Sequence, residues 1–227
     1  MFDVPNILFD LDGTLSDPAE GIINSVRYAL ERVGFPCPPP EELARHIGPP
    51  LHIWLAEMFG SGSEEKVQTA MRLYRKRYNE DGKGMVENVL YPAIPAVLEA
   101  LQAAGKRLFV ATSKPRSISE KIIQHFRLEQ YFCRVYGSEL DSTRSDKGDL
   151  IAWLLAQEGL SPDETVMIGD RKHDIIGASR NKVQAIGACW GYGTAEELIA
   201  AGATALAQKP GDLLELFLCK TQNISKR

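Results

Sequence analysis

The sequence predicts an α/β protein: a parallel sheet with crossover helices, plus an inserted α-helical domain. Three observations carry this expectation. Short apolar runs end in turn residues and lead into helical patterns, as parallel strands with crossover helices do. Between the first and second runs lies a stretch of about ninety residues that reads as helix throughout, too long for a simple βα crossover. From Pro92 to Leu218 the strand and helix patterns then alternate without interruption.

The first strand is Ile7-Leu8-Phe9. In the insert, Asp17-Pro18-Ala19-Glu20 supplies an N-cap, a proline at the first helical position and an acid three residues after the cap. Ile22, Val26, Leu30 and Val33 share one face, Gly34 ends that helix, and Pro36-Cys37-Pro38-Pro39-Pro40 breaks the chain before a short helix from Glu41 to His46. After Gly48-Pro49-Pro50, helices are expected from Leu51 to Phe59 and from Glu64 to about Glu80, the second with Val67, Met71, Tyr74 and Tyr78 on one stripe. Residues 17–88 therefore read as a helical cap domain hinged near Ser16 and Asn88, inserted into a core of residues 1–16 and 89–227. The remaining strands are Leu108–Ala111, Val135-Tyr136, Val166–Ile168 and Ala185–Ala188, with Ala205-Leu206-Ala207 a sixth candidate and Thr221–Arg227 a polar tail.

Composition excludes several classes of function. A formal charge of −4 with intermixed acids and bases offers no basic stripe for nucleic acid. Cys37, Cys133, Cys189 and Cys219 are far apart and lack zinc-site spacing, so they read as reduced thiols of a cytoplasmic protein. The N-terminus lacks a basic region followed by an apolar run, and no stretch approaches the ~18 apolar residues of a membrane span.

Four constellations carry chemistry. Asp10 and Asp12, in Phe9-Asp10-Leu11-Asp12-Gly13-Thr14-Leu15, follow the first strand at the end where α/β folds bind ligands, and Gly13 permits the turn that lets both face the crevice. Asp170 and Asp174 follow the strand Val166-Met167-Ile168. Four converging carboxylates repel unless a cation neutralises them, and oxygen-only ligands suit Mg²⁺. For Asp174 the alternative is an acid that merely complements a helix from Ile175 to Asn181. Thr112 and Ser113 end another strand, where hydroxyls and backbone N–H groups can hold a phosphate oxygen, although such residues also cap many helices. Lys147 opens the helix containing Leu150, Ile151, Leu154 and Leu155. A cation there opposes the macrodipole unless an anion lies nearby.

Together these elements resemble the haloacid dehalogenase-like hydrolase superfamily over nearly the whole chain. Asp10-x-Asp12-Gly13-Thr14 is similar to its first motif, Thr112 to the second, Lys147 to the third and Gly169-Asp170-x-x-x-Asp174 to the fourth. The insert after the first motif matches the helical cap of the phosphoglycolate-phosphatase-like branch. The resemblance implies a Rossmann-like parallel sheet core with helices on both faces and Asp10 on its central strand, with Asp10 as nucleophile, Asp12 as general acid and base, Thr112 and Lys147 as phosphate holders and Asp170 as metal ligand. Asp10 and the Asp12 carbonyl would complete the protein's share of a Mg²⁺ shell, with Asp174 ligating or supporting it. Ile47–Leu51, Gly137–Arg144 and Gly169–Asp174 resemble a bacterial subgroup described as 5′-nucleotidases. Lys147 is followed by Gly148 where many relatives have proline.

The expected chemistry is hydrolysis of a small phosphomonoester through an aspartyl-phosphate, with cap closure excluding water. Arg45, His46 and the loop at Gly48 are candidates for reading the substrate, although an ordinary helix end explains them as well. Nucleoside 5′-monophosphates are the favoured substrates, with 2-phosphoglycolate and, further off, a phosphomutase reaction as alternatives. Asp12 argues against a dehalogenase, and a cap of roughly seventy residues has no purpose in a phospho-accepting receiver. The expected state is a monomer or weak homodimer.

Overall fold

The computed structural model describes residues 2–44, 47, 51–141 and 143–218. The chain forms two compact units, one of Met1–Leu15 with Tyr91–Arg227 and the other Ser16–Leu90. The described strands are β1 (Asn6–Phe9), β2 (Ser16–Asp17), β3 (Val89–Leu90), β4 (Arg107–Pro115), β5 (Arg134–Ser138), β6 (Thr165–Gly169), β7 (Gln184–Ala188) and β8 (Ala205–Ala207). The helices are α1 (Ala19–Arg32), α2 (Pro40–Ala44), α3 (Leu51–Phe59), α4 (Glu64–Arg75), α5 (Lys83–Val86), α6 (Ile94–Ala103), α7 (Arg116–His125), α8 (Lys147–Glu158), α9 (Lys172–Arg180), α10 (Ala195–Ala200) and α11 (Asp212–Leu218).

In the first unit, six parallel strands lie in the order β5-β4-β1-β6-β7-β8. The chain leaves β1 for β4 and β5 on one side and returns to β6 on the other. This makes the carboxyl end of β1 the topological switch point, where open α/β sheets form their crevice. Leu8, Phe109, Ala111, Met167 and Ala185 pack with Leu150, Ile151, Leu154, Ile175 and Ala178 of α8 and α9. The alternate residues Ile7, Phe9, Leu108, Val110, Val166 and Ile168 are equally buried, so the apolar runs are strands covered on both faces. All six expected strands are present. β4 continues past Ala111 to Pro115 with an irregular register against β5, so Thr112, Ser113 and Lys114 belong to the strand. The first and last described segments meet where Phe2 N donates to Leu216 O at 2.8 Å and the Phe2 and Phe217 rings lie 5.8 Å apart.

In the second unit, Val26, Ala29 and Leu30 of α1 pack with Leu43, Trp54, Leu55, Val67 and Ala70. Asp17 caps α1 as expected in kind but from one position further out: its Oδ1 accepts from Ala19 N at 2.9 Å, and the helix begins after Pro18. α2 starts at Pro40. The helix expected from Glu64 to about Glu80 changes form at Lys76, where a π-helical turn runs to Glu80. Within that turn Tyr78 is buried, stacked on Tyr74 at 5.4 Å and donating to Asn88 Oδ1 at 3.0 Å. Among the described residues, β2 and β3 pair antiparallel, Ser16 with Leu90 and Asp17 with Val89. These two-residue strands have no periodicity to read. No described helix is long and apolar enough to cross a membrane.

Candidate active site

The turn after β1 begins the site. Asp10 N donates to Ile168 O at 2.9 Å, which holds the first residue beyond the strand against β6. Asp10 Oδ1 accepts from Leu11 N at 2.8 Å, and Leu15 N donates to Leu11 O at 2.9 Å to close the turn. Gly13 sits at φ +80°, and a Cβ there would run into the Asp170 carboxylate. Its missing side chain therefore lets the β1 turn and the β6 end meet, beyond simply permitting the turn.

Asp10, Asp170 and Asp174 each offer a carboxylate oxygen within 4.8 Å of the others. Asp170 and Asp174 are 1% exposed. Asp170 Oδ2 accepts from Tyr192 N at 2.8 Å and Oδ1 from Thr14 Oγ1 at 3.4 Å. Burial first, then the charges of Asp174 and Asp10, push the Asp170 carboxyl well above the ordinary aspartate range. Burial also raises Asp174, against the opposing pull of Lys147. Asp174 lies within α9, which begins at Lys172 rather than Ile175, and its Oδ2 accepts from Arg171 N at 3.1 Å while Oδ1 faces Lys147. It caps the helix and belongs to the acidic cluster at once. These hard oxygen donors, with Asp170 met only by neutral donors in the hydrogen bonds described, fit a small divalent cation such as Mg²⁺.

Lys147 is 5% exposed. Its Nζ lies 3.0 Å from Asp10 Oδ1 and 2.7 Å from Asp174 Oδ1, and donates to Ala111 O at 2.9 Å. Burial opposes its charge, but Asp10 and Asp174 more than compensate and raise its pKa. The anions that offset the helix dipole are thus already present in the protein. Gly177 makes this geometry accessible, because a Cβ there would meet Gly148 N and Lys147 Cγ, both at 2.9 Å.

The structure separates Asp12 from the other three carboxylates. Its Oδ2 receives a hydrogen bond from Lys114 Nζ at 2.5 Å, so the expected group of four is a triad plus an ion pair. Burial raises the Asp12 carboxyl, Lys114 opposes, and Asp10 adds to the rise. Thr112 is buried, with Oγ1 accepting from Lys114 N at 3.3 Å, whereas Ser113 is exposed and its carbonyl accepts from Ser138 Oγ at 2.9 Å. Arg45, His46 and Gly48 lie outside the described residues.

Lys114 and the loop after β7 escaped the sequence reading. Trp190 Nε1 donates to Thr14 O at 3.0 Å, and a Cβ on Gly191 or Gly193 would collide with Asp170. The available signals were a lysine two residues after Thr112 and the pattern Gly191-Tyr192-Gly193 at a strand's carboxyl end.

A family model described as haloacid dehalogenase-like hydrolase matches residues 7–188. A 5′-nucleotidase of Pseudomonas aeruginosa is 47% identical over 196 residues, 86% of this chain and 87% of that protein. A Mycobacterium tuberculosis protein named tyrosine-protein kinase PtkA is 42% identical over 84% of this chain and 64% of that protein. A solved haloacid dehalogenase-like hydrolase of Streptococcus pneumoniae superposes with a TM-score of 0.87 at 30% identity, covering 95% of this chain and 99% of that one.

Proposed function

The chain belongs to the haloacid dehalogenase-like hydrolase family and is a phosphatase, and from that premise we propose that it is a Mg²⁺-dependent 5′-nucleotidase working through an aspartyl-phosphate on Asp10. The observation that carries the mechanism is the position of Asp10, at the carboxyl end of the central strand, beside Lys147 and two further buried carboxylates. A dianionic phosphoryl group can approach three carboxylates only where positive charge outweighs them. Asp10, Asp170 and the Asp12 carbonyl, with Asp174 in support, would hold Mg²⁺, which when bound supplies that charge.

Asp10 attacks phosphorus in line, forming an acyl-phosphate as the ester bond breaks. Lys147 spreads charge from the transferred group, and Thr112 holds one of its oxygens. Asp12 gives a proton to the leaving oxygen and then takes one from the water that hydrolyses the acyl-phosphate. The unit Ser16–Leu90 is the cap domain of this reading, and the protein acts as a monomer or weak homodimer in the cytoplasm. The nucleotide preference rests on the likeness to the Pseudomonas 5′-nucleotidase together with the three subgroup-like segments.

A panel of phosphomonoesters with phosphate release as readout tests this. Nucleoside 5′-monophosphates should give the highest kcat/KM, and chelation should abolish turnover until Mg²⁺ is restored. A much higher kcat/KM for 2-phosphoglycolate would overturn the nucleotide preference, and full turnover in metal-free buffer would overturn the metal dependence. Asp10→Asn should fold and release no phosphate, because an amide cannot form the acyl-phosphate.

A further inference from the structure

We propose that Lys114 is a positioning residue for the acid–base step: by occupying Oδ2 of Asp12 it leaves Oδ1 as the oxygen that carries the proton. This rests on the reading of Asp12 as general acid and base. The Lys114 and Asp12 side chains are 11% and 25% exposed, so the pair is shielded well beyond an ordinary surface ion pair. Asp12 Oδ1 is buried and has no hydrogen-bond partner among the described residues. One oxygen of the carboxylate is therefore pinned and the other is held ready without a competing donor.

The backbone is built to deliver Lys114 to this position. The register of β4 shifts between Ala111 and Pro115, which breaks the alternation that a regular strand would impose. Three features hold the irregular stretch. Lys114 N donates to Thr112 Oγ1, Ser138 Oγ donates to Ser113 O, and Gly137 leaves room that a Cβ would take from Lys114 O and the Arg116 backbone.

The chemistry calls for such a pin. The terminal torsion of an aspartate is broad and roughly two-fold, so an untethered carboxylate interchanges its oxygens. Both proton transfers must use an oxygen aimed at the reacting group. In the first step the Oδ1 proton passes to the ester oxygen as its bond to phosphorus breaks and Asp10 bonds to phosphorus. Asp12 is left as a carboxylate paired with Lys114. In the second, Oδ1 takes a proton from water as the water oxygen attacks phosphorus, freeing Asp10 and inorganic phosphate.

The test compares wild type, Lys114→Met, Asp12→Asn and the double variant, using a nucleoside 5′-monophosphate and an activated aryl phosphate. For Lys114→Met, kcat on the nucleotide should fall by about 10- to 100-fold, part of the ~10²–10⁴-fold that general acid–base catalysis supplies, with a much smaller change in KM. The rate of the aryl phosphate burst should stay within a few-fold of wild type, because that leaving group needs little protonation. The double variant should be no slower than Asp12→Asn alone, as expected if one residue acts through the other. Equal losses on both substrates, or losses that multiply in the double variant, would overturn the role of Lys114 while leaving Asp12 as acid and base. Full nucleotide turnover by Asp12→Asn would overturn the underlying reading, and this proposal with it. Should Lys114→Met fail to fold, Lys114→Gln, which still offers an N–H to Oδ2, is measured in the same way. Its nucleotide-selective loss should be smaller than that of Asp12→Asn, and a loss shared equally by both substrates would count against the role.

Discussion

Asp170 sets a buried carboxylate beside two like charges, with neutral donors that include Tyr192 N and Thr14 Oγ1. In metal-free protein its raised pKa means that the native state keeps a proton which the unfolded chain releases. Its contribution to stability is therefore full in acid and is lost as pH rises from the ordinary aspartate range through the raised value. Asp170→Asn should remove this pH dependence, raise the metal-free Tm at neutral pH by about 2–4 °C per kcal/mol gained, and abolish the response to Mg²⁺. Wild type should instead gain about 2.7 kcal/mol when Mg²⁺ reaches about 100 times its Kd, and thermal melts with and without chelator measure both effects. Asp12 makes a kinetic prediction. Asp12→Asn should react with an activated aryl phosphate in a burst near one equivalent and then turn over very slowly, while with a nucleotide no phospho-enzyme should accumulate. Equal losses on both, without a burst, would make Asp12 structural.

Between elements, the close approach of α8 to α9 brings Lys147 to Asp174. A glycine inside a helix ordinarily costs up to ~1 kcal/mol relative to alanine, so Gly177→Ala would stabilise an isolated α9. Here the added Cβ meets the Lys147 side chain and Gly148 N, where forced repacking costs typically ~1–3 kcal/mol. The second effect prevails, so Gly177→Ala should lower the denaturant midpoint and, by moving Lys147 away from Asp10, reduce kcat more than it raises KM. The π-helical turn at Lys76–Glu80 is a similar local departure, and within it Tyr78 is buried against Tyr74 and Asn88.

In the molecule as a whole, the second unit enters and leaves the chain at one place. Tyr91 N donates to Leu15 O at 3.1 Å, so the ends of the first unit are already joined. Replacing Ser16–Leu90 by two glycines should therefore leave a folded sheet unit, with cooperative urea unfolding and an m-value reduced roughly in proportion to the surface removed. A molten product without a cooperative transition would show that the sheet depends on the helical unit.

Much of this was legible along the chain, because the inner strands of the sheet are apolar runs buried on both faces and the Asp10 and Asp170 motifs directly follow two of them. Asp10, Thr112, Lys147 and Asp170 stood out as candidates because their residue types and order suit the proposed chemistry. Other features arise between distant segments and leave no periodic trace. β2 and β3 pair with each other across the whole insert, and the register of β4 shifts in its pairing with β5. Which carboxylates cluster was decided in the same way. Spacing treated Asp10 and Asp12 as partners, but Lys114, carried in on a neighbouring strand, pairs with Asp12, while Gly13, Gly191 and Gly193 close around Asp170 from two other loops. A sequence records which groups are available to a site, whereas the distances that set their charges and partners exist only once strands remote in the chain lie side by side.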